Sequence, residues 1–513
     1  MYFTAFSTYQ TILFLFYVIC LLVAVSYRLQ EKEIHSLIFL FLGAAALFNY
    51  AAMLDPFLNL WDERFHALVA KNMRNHSWMP TLYDDDFMPM AYNDWDRHHI
   101  WLHKQPLFLW QMMLSFKMFG VSEFSLRLPS IILGLATAGA IYRSSRLLID
   151  AKTAFYTTFL FITGYYMLNL IAGRECIDHS DFVLMAYVSL SIWSFIEYTF
   201  KRKKYWAFLA GLFAGLAFLT KWMPGFLVFA LWGLYFFQRK WNKHALLDFS
   251  MALGIAILIA LPWQIYTFVV YPADAIREWK YNSAHLTHAL EGHNGPWWFH
   301  FKNFPPIFGW ASAILFIPGC YLFIKKIKKE YMAAYFLILR LCTLLFYSFA
   351  ATKMSSYPII LCLPVALIAG TTLVQLVDWT ETYKNYVGRS MVLIMLFVVF
   401  MLNFRPSKMV ETHSTKASNN EYANMLIHNK KVFRSLHFHD PTILFNVKGR
   451  HYVEAMFYSP YLAYRFIPDS AQYATCKIRG FKMALFPGKE KFPAHLLNDP
   501  DVRILKDTLK GYD

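Results

Sequence analysis

Long apolar runs cut this sequence into pieces, and they constrain its fold more than any other feature. A helix needs about 20 apolar residues to cross the hydrocarbon of a bilayer. Runs of that length, or somewhat shorter, fall at 9–27, 36–54, 129–147, 152–171, 182–199, 205–220, 224–238, 246–268, 305–324, 331–350, 357–378 and 389–404. Hydrocarbon offers no partner to backbone N–H and C=O groups, so such runs must close their hydrogen bonds internally, as helices. The expected class is an all-α polytopic membrane protein with about twelve transmembrane helices. Composition agrees: 57% hydrophobic and only 16% charged, against roughly half and a quarter in soluble domains. The first run, Thr11 to Tyr27, has no basic segment before it and no small-residue cleavage site after it. It reads as a retained helix rather than a cleaved signal.

The formal net charge is +16, but the cations are clustered. Arg143, Arg146 and Lys152 form one group, Lys201 to Lys204 a second, Arg239, Lys240 and Lys243 a third, and Lys325, Lys326, Lys328 and Lys329 a fourth. They occupy alternate connections, which the positive-inside rule makes cytoplasmic. The basicity therefore speaks of anionic lipid and topology, and no nucleic-acid partner is expected. Residues 55–105, 172–181, 270–304 and 351–356 then fall on the opposite face, with the N-terminus and everything after Phe404. Cys20, Cys176, Cys320, Cys342, Cys362 and Cys476 are scattered without a CxxC pair, which signals neither a disulfide framework nor a zinc cluster. From 405 to 513 the apolar runs shorten and polar or Gly/Pro residues separate them. That predicts a small C-terminal α/β domain on the extracytoplasmic side, beyond a transmembrane domain of residues 1–404.

The polar stretch Asp55 to Pro106 is the obvious place for chemistry. It holds Asp62, Glu63, the run Asp84 to Asp86, His98, His99, His103 and Lys104. Four more polar connections fall on the same side. They carry Arg174, Asp178 and Asp181; Lys221; Glu291 and His293 to Trp298; and Lys353 to Tyr357. Ionisable groups at membrane depth are costly and tend to mark a site. Several cations at one membrane surface suit a phosphate. A carboxylate beside them suits a general base, or a stabiliser of positive charge at a sugar carbon. Singly, each has a plainer account. Asp62 and Glu63 could cap a surface helix, Asp84 to Asp86 could be a solvated loop, Lys221 could snorkel, and Trp297 and Trp298 could belong to an aromatic belt. Adjacent histidines do not readily face one ion, so no metal centre is predicted.

Taken in order, these pieces resemble a known family. Asp62-Glu63-Arg64-Phe65, Lys104-Gln105-Pro106-Leu107, Gly120 and Arg127-Leu128-Pro129 are similar to the first loop of the lipid A aminoarabinose transferases. Those enzymes are similar in turn to the dolichyl-phosphate-mannose protein mannosyltransferases, all of the GT-C fold. Leu219-Thr220-Lys221, Pro262-Trp263, His293 to Trp298, and Lys353 with Tyr357 resemble later elements of the family, in the same order.

The resemblance implies a glycosyltransferase of the bacterial inner membrane, with its active site facing the periplasm. It would move a hexosyl or pentosyl group from a polyprenyl-phosphate carrier to a lipid, glycan or protein acceptor. By motif match Asp62, paired with Glu63, is the catalytic carboxylate. Lys104, Arg174, Asp178 or Asp181, Lys221, His293, Lys353 and Tyr357 are the expected substrate contacts. No cofactor is required, and a divalent metal is allowed but not expected for catalysis, since fixed cations can balance the departing lipid phosphate. The chain departs from the family at His103, where a Glu is usual, at Gln105, where a Pro is usual, and at Trp222, where a Gly is usual. A rival reading is a flippase for a charged glycolipid, which predicts paired halves or interrupted helices near the midplane. A third is a sugar-sensing or scaffold membrane protein, with the C-terminal domain as its interaction part.

Overall fold

The computed structural model describes residues 2–85, 87–88, 95–96, 98–175, 178–238, 243–383, 386–416 and 420–511. Asp86, Cys176, Arg239 and Lys240, and the side chain of Asp178, lie outside the described residues. Helices occupy all twelve predicted spans. They begin with α1 (Thr8–Leu29) and α2 (Glu33–Ala52), which form a hairpin. Ser7 and Gln10 open α1 with a reciprocal capping box, satisfying backbone N–H groups that the helix itself leaves unpaired. Two short helices follow, α3 (Asp62–Asn72) and α4 (Leu107–Phe119). Then come α5 (Glu123–Leu148), α6 (Ala151–Ile162), α7 (Tyr165–Ile171), α8 (Asp178–Lys201), α9 (Lys204–Lys221), α10 (Leu227–Gln238) and α11 (Lys243–Val270).

The amphipathic α12 (Pro272–Ala284) and the short α13 (Phe299–Lys302) and α14 (Phe304–Phe308) lead into α15 (Trp310–Lys326). The bundle finishes with α16 (Glu330–Phe349), α17 (Cys362–Glu381) and α18 (Tyr386–Phe404). Among the described residues eight helices are long and apolar enough to span a bilayer alone, and α6 and α7, bent by 58° at their junction, meet the same measure together. This is a multi-span membrane protein. The bend is an interrupted helix that hydropathy does not reveal. It falls at Thr163-Gly164, where the backbone leaves helical geometry.

Burial sorts the helices into layers. The most apolar windows of α8 and α17 are 94% and 89% buried, while those of α1, α11 and α18 are 28%, 22% and 33% buried and turn their apolar faces outward. α9 and α11 meet through small residues. A Cβ on Gly211 would lie 2.2 Å from the Ala252 carbonyl oxygen, and one on Gly215 2.9 Å from that of Ala256. Close backbone approach of this kind is how helices gain van der Waals contact where lipid competes for every apolar surface.

The two ends of the bundle differ as the charge pattern requires. At one end Arg143 and Lys201 pair with Glu197, Arg146 with Glu33, and Lys152 and Lys326 with Asp378. The predicted cytoplasmic connections therefore converge. At the other end gather the 55–105 stretch, the α7–α8 and α9–α10 turns, and residues 285–295, which bond through their backbone to 351–353.

Beyond α18 come α19 (Pro406–His413), α20 (Glu421–Ser435), β1 (Thr442–Phe445), α21 (His451–Tyr458), α22 (Ser470–Ile478), β2 (Lys482–Leu485), α23 (Ala494–Leu497) and β3 (Val502–Ile504). The strands form a parallel sheet in the order β1-β2-β3, with Ile443 opposite Met483 and Met483 opposite Val502. Parallel strands need crossovers, which the intervening helices supply. This layer is packed onto the 55–105 stretch. Arg64 pairs with Glu454 at 3.1 Å, both buried. Tyr83 stacks on Tyr464 at 5.2 Å between ring centroids. Lys71 donates to the carbonyl oxygens of Met456, Phe457 and Ser459. α3 is therefore not the surface helix that Asp62 and Glu63 could have capped. It is enclosed between α4, α8 and α21, and nine of its eleven residues are buried.

Candidate active site

The site is built on the first turn of α3, and one buried arginine sets where that turn lies. Arg127 of α5, fully buried, donates to the carbonyl oxygens of Ala52 (2.9 Å), Asp55 (2.6 Å) and Phe57 (2.8 Å). It also forks onto Glu63, with Nε to Oε1 at 2.7 Å and Nη2 to Oε2 at 3.0 Å. Glu63 further accepts from the Asn59 backbone at 2.6 Å and lies 3.3 Å from His179 Nε2. Burial alone would raise its carboxyl, yet Arg127 and His179 hold it down to about 2. Gly173 fits beside it with φ +73°, and a Cβ there would lie 2.0 Å from Glu63 Oε1. A side chain at 173 would meet both the steric cost of left-handed backbone and a direct clash.

Asp62 faces elsewhere. The residue before it, Trp61, has φ +70°, an uncommon state for an aromatic residue and a local strain. Trp61 occupies the cap position without a side-chain cap bond, so Asp62 is the first helical residue and not the cap. Its Oδ2 lies 3.7 Å from Lys104 Nζ, and both side chains keep a little exposure, 15% and 20%. Burial would raise the Asp62 carboxyl, but Lys104, His66, His103 and Lys221 outweigh it and hold it down to about 2. The partial positive charge of the helix N-terminus acts in the same direction. His66, one turn along α3, is buried and held down to about 4 by burial, with Lys104 adding to the effect.

Lys221 closes the cluster. It ends α9, lies 2.5 Å from Asp181 Oδ1, and sits 4.9 Å above the Tyr357 ring. Of the two second-loop carboxylates, Asp181 is the one seen at the site. Asp178 opens α8. Tyr357 packs on Tyr347. Lys353 is buried, and its ammonium donates to the Ala350 carbonyl at 2.6 Å. His293 accepts the Lys353 backbone N–H. Arg174 is drawn to the other side of α3's first turn, where it donates to Asn59 Oδ1 at 3.2 Å and lies 3.6 Å from the Tyr422 ring centroid. The structure thus joins Asp62, Lys104, Asp181, Lys221 and Tyr357. It gives Glu63 and Arg174 to the frame behind them.

Several contributors had no sequence signal strong enough to name them. Trp95 lies flat on His103, 4.4 Å between centroids and 7° between planes, and its indole N–H donates to Glu291 at 2.7 Å. Tyr281 donates to the same carboxylate at 2.8 Å. His103 is 3.2 Å from Glu278 on α12, and burial and Lys104 hold its imidazole below the usual range. A buried Glu on an otherwise amphipathic helix was the one available hint. His99 is spent on the Tyr83 carbonyl. Among the described residues no group of three His, Cys, Asp or Glu is placed to hold a metal ion.

Comparison with known proteins agrees with this architecture. The ArnT crystal structure from Cupriavidus metallidurans bound to undecaprenyl phosphate superposes with a TM-score of 0.62 at 14% identity, over 86% of this chain and 88% of that one. The fold is that of the GT-C membrane glycosyltransferases. A second GT-C relative, the apo oligosaccharyltransferase of Archaeoglobus fulgidus, superposes with a TM-score of 0.53 at 14% identity, over 82% of this chain and 63% of that one.

Sequence comparison points the same way. The dolichyl-phosphate-mannose-protein mannosyltransferase signature matches residues 103–266, a segment that holds Lys104, Asp181 and Lys221 and begins after Asp62. An undecaprenyl phosphate-α-4-amino-4-deoxy-L-arabinose arabinosyl transferase of Pseudomonas paraeruginosa is 27% identical over 333 residues, 59% of this chain and 57% of its own. An uncharacterized protein of Aquifex aeolicus is 26% identical over 242 residues, 47% of this chain and 45% of its own. The chain spans about half the length of the curated relatives it matches.

Proposed function

We propose that this protein transfers a glycosyl group from a polyprenyl-phosphate carrier to an acceptor at the extracytoplasmic face of the membrane. The observation that carries the reading is the Asp62–Lys104–Lys221–Asp181 cluster, set at the end of a GT-C bundle opposite its basic connections. In the reaction the bond between the anomeric carbon and the carrier phosphate oxygen breaks, and its electrons leave with the phosphate. The acceptor oxygen forms the new bond, and the proton of a hydroxyl acceptor passes to the departing phosphate. Lys221 and Lys104 are the cations of this cluster, and they stabilise the charge that builds on the departing phosphate. His293, Lys353 and Tyr357 support the loop that presents this face to the carrier.

Asp62 is ionised at any physiological pH. A carboxylate held near 2 is a weak proton acceptor, because general bases work best near the operating pH. Its role is therefore electrostatic: it orients Lys104 and faces the positive charge that grows at the sugar carbon. Glu63 keeps the α3 turn in place and does not meet substrate. The likeness to an enzyme named for undecaprenyl-phosphate aminoarabinose, and to a structure bound to undecaprenyl phosphate, supports a polyprenyl-phosphate donor. The flippase reading gains little from the structure. The bent pair α6–α7 is the one bent pair of membrane-spanning length among the described residues.

The test is mass spectrometry of envelope glycolipids and glycans from a strain lacking this chain. Loss of a single hexose-, pentose- or uronate-sized unit, restored by the wild-type gene and not by Asp62→Asn, is the expected result. An unchanged envelope, with no turnover of polyprenyl-phosphate sugars by the purified protein, would overturn the proposal.

A further inference from the structure

A second polar cleft lies at the opposite end of the bundle from Asp62. It encloses ≈ 270 Å³ between the last turn of α1, α6, the end of α17 and the start of α18. Arg28, Glu31, Lys152, Tyr156, Glu381 and Arg389 line it. Lys152 is committed to Asp378 and Glu381, at 2.8 and 2.5 Å. Arg28 and Arg389 make no ion pair among the described residues. Tyr156 is fully buried, and its hydroxyl has no hydrogen-bond partner there. A buried donor left empty is costly, which marks a place where something else should bond.

The three features specify a ligand chemistry. Two free guanidinium groups present planar forks that match phosphate oxygens bidentately. A phenol donor stands between them and the core. Three cations against two carboxylates leave the lining with one net positive charge, the complement of a single phosphodiester. Tyr156 lies five residues into α6, about 8 Å below the start of that helix at the rise of an α-helix. A phosphate reaching it would sit at headgroup depth. The walls continue as outward-facing apolar helix surface, with Leu22 of α1 and Ile394 and Phe397 of α18 all exposed. A soluble anion has no use for that surface, whereas acyl chains do.

We propose that this cleft holds the phosphodiester of an anionic membrane phospholipid, with its acyl chains laid along α1 and α18, in the leaflet at the basic end of the bundle. The site is separate from the transfer reaction and does not depend on which reaction that is. It ties together the first and last membrane helices, which border the cleft from opposite ends of the sequence.

Native mass spectrometry of the full chain, titrated with dioleoylphosphatidylglycerol or dioleoylphosphatidylcholine, tests this. The wild type should retain one phosphatidylglycerol about tenfold more tightly than phosphatidylcholine, the scale of one hydrogen-bonded charge contact. The Arg28→Gln/Arg389→Gln variant should lose that preference. Tyr156→Phe, which removes a hydroxyl and leaves no polar group stranded, should lose several-fold and covers the case in which the double variant fails to fold. Millimolar sn-glycerol 3-phosphate should leave the lipid adduct untouched. Retention by either variant equal to that of the wild type would overturn the proposal. Displacement by the soluble phosphate would overturn it as well, by assigning the cleft to a free anion.

Discussion

Replacing Glu63 with Gln separates the two carboxylates that the sequence presents side by side. In the native fold Glu63 carries a charge that Arg127 answers with two hydrogen bonds, and neither residue has any exposure. The amide keeps the shape and loses the charge. Removing one partner of a buried pair leaves the other uncompensated, a loss of about 3–5 kcal/mol. Arg127 retains the carbonyl oxygens of Ala52, Asp55 and Phe57, which places the expected loss near the lower figure, about 3 kcal/mol. That is a large part of the 5–15 kcal/mol by which folded proteins are typically stable. A fluorescence-monitored melt in detergent should show a drop of several degrees. Turnover per folded molecule, measured well below the transition with a polyprenyl-phosphate sugar, should stay within about threefold. Asp62→Asn should do the reverse to turnover, lowering kcat by about 100-fold or more, the scale of one lost electrostatic contact to the transition state. Its stability cost is bounded by the drop from 3.8 to about 2, worth about 2.5 kcal/mol. A Glu63→Gln protein with unchanged melting and abolished kcat would refute the reasoning. It would make Glu63 the group that meets substrate.

The remaining predictions concern the neighbours of this pair. Lys221→Met combined with Asp181→Asn, which avoids stranding the buried Asp181, should raise the KM for the lipid-linked donor about tenfold, the scale of one charge-assisted contact, with a smaller change in kcat. Gly173→Ala should yield little folded protein by size-exclusion chromatography, since it combines a left-handed backbone with a Cβ 2.0 Å from Glu63 Oε1. For pH, the unfolded chain binds a proton at His66 near 6.5 and the folded chain only near 4. Stability should therefore fall as pH drops through that window, by about 3 kcal/mol in all. His66→Gln should flatten the slope. Asp62 and Glu63 have lowered values, so their contribution persists above about 4 and is lost only toward 2.

Much of the bundle was legible because a bilayer leaves a chain few choices. The twelve apolar runs became helices, and the basic connections of Arg143, Lys201 and Lys326, which alternate in the sequence, meet at one end of the bundle. The errors have local causes. Pro129 does not begin α5. It sits inside a helix that Ser122 caps at its start, seven residues earlier. The run at 305–324 is broken by Gly309 at φ +93° into α14 and α15. The cluster of Asp62, Lys104 and Lys221 was accessible because each residue sits in an ordered series of short motifs. The partners behind it were not. Arg174 stacking on Tyr422, His413 bonding Asp55, and Trp95 lying on His103 join residues that no period or spacing connects. Equally, the sequence could not show that Asp62 and Glu63, one residue apart on a helix, point into different surroundings.

The packing of the C-terminal layer onto the first loop has a consequence for the order in which a cell makes this protein. Tyr422 reaches back 362 residues to hold the backbone of Leu60, and Glu454 reaches back 390 to pair with Arg64. At synthesis rates of about 5–20 residues per second, the loop carrying Asp62 waits roughly 20–80 s for the residues that clamp it. Through that interval the ten apolar runs that follow the loop must be threaded around an unfinished site. The nascent chain should thus be inert, and most open to proteases at 55–105, until its last hundred residues arrive.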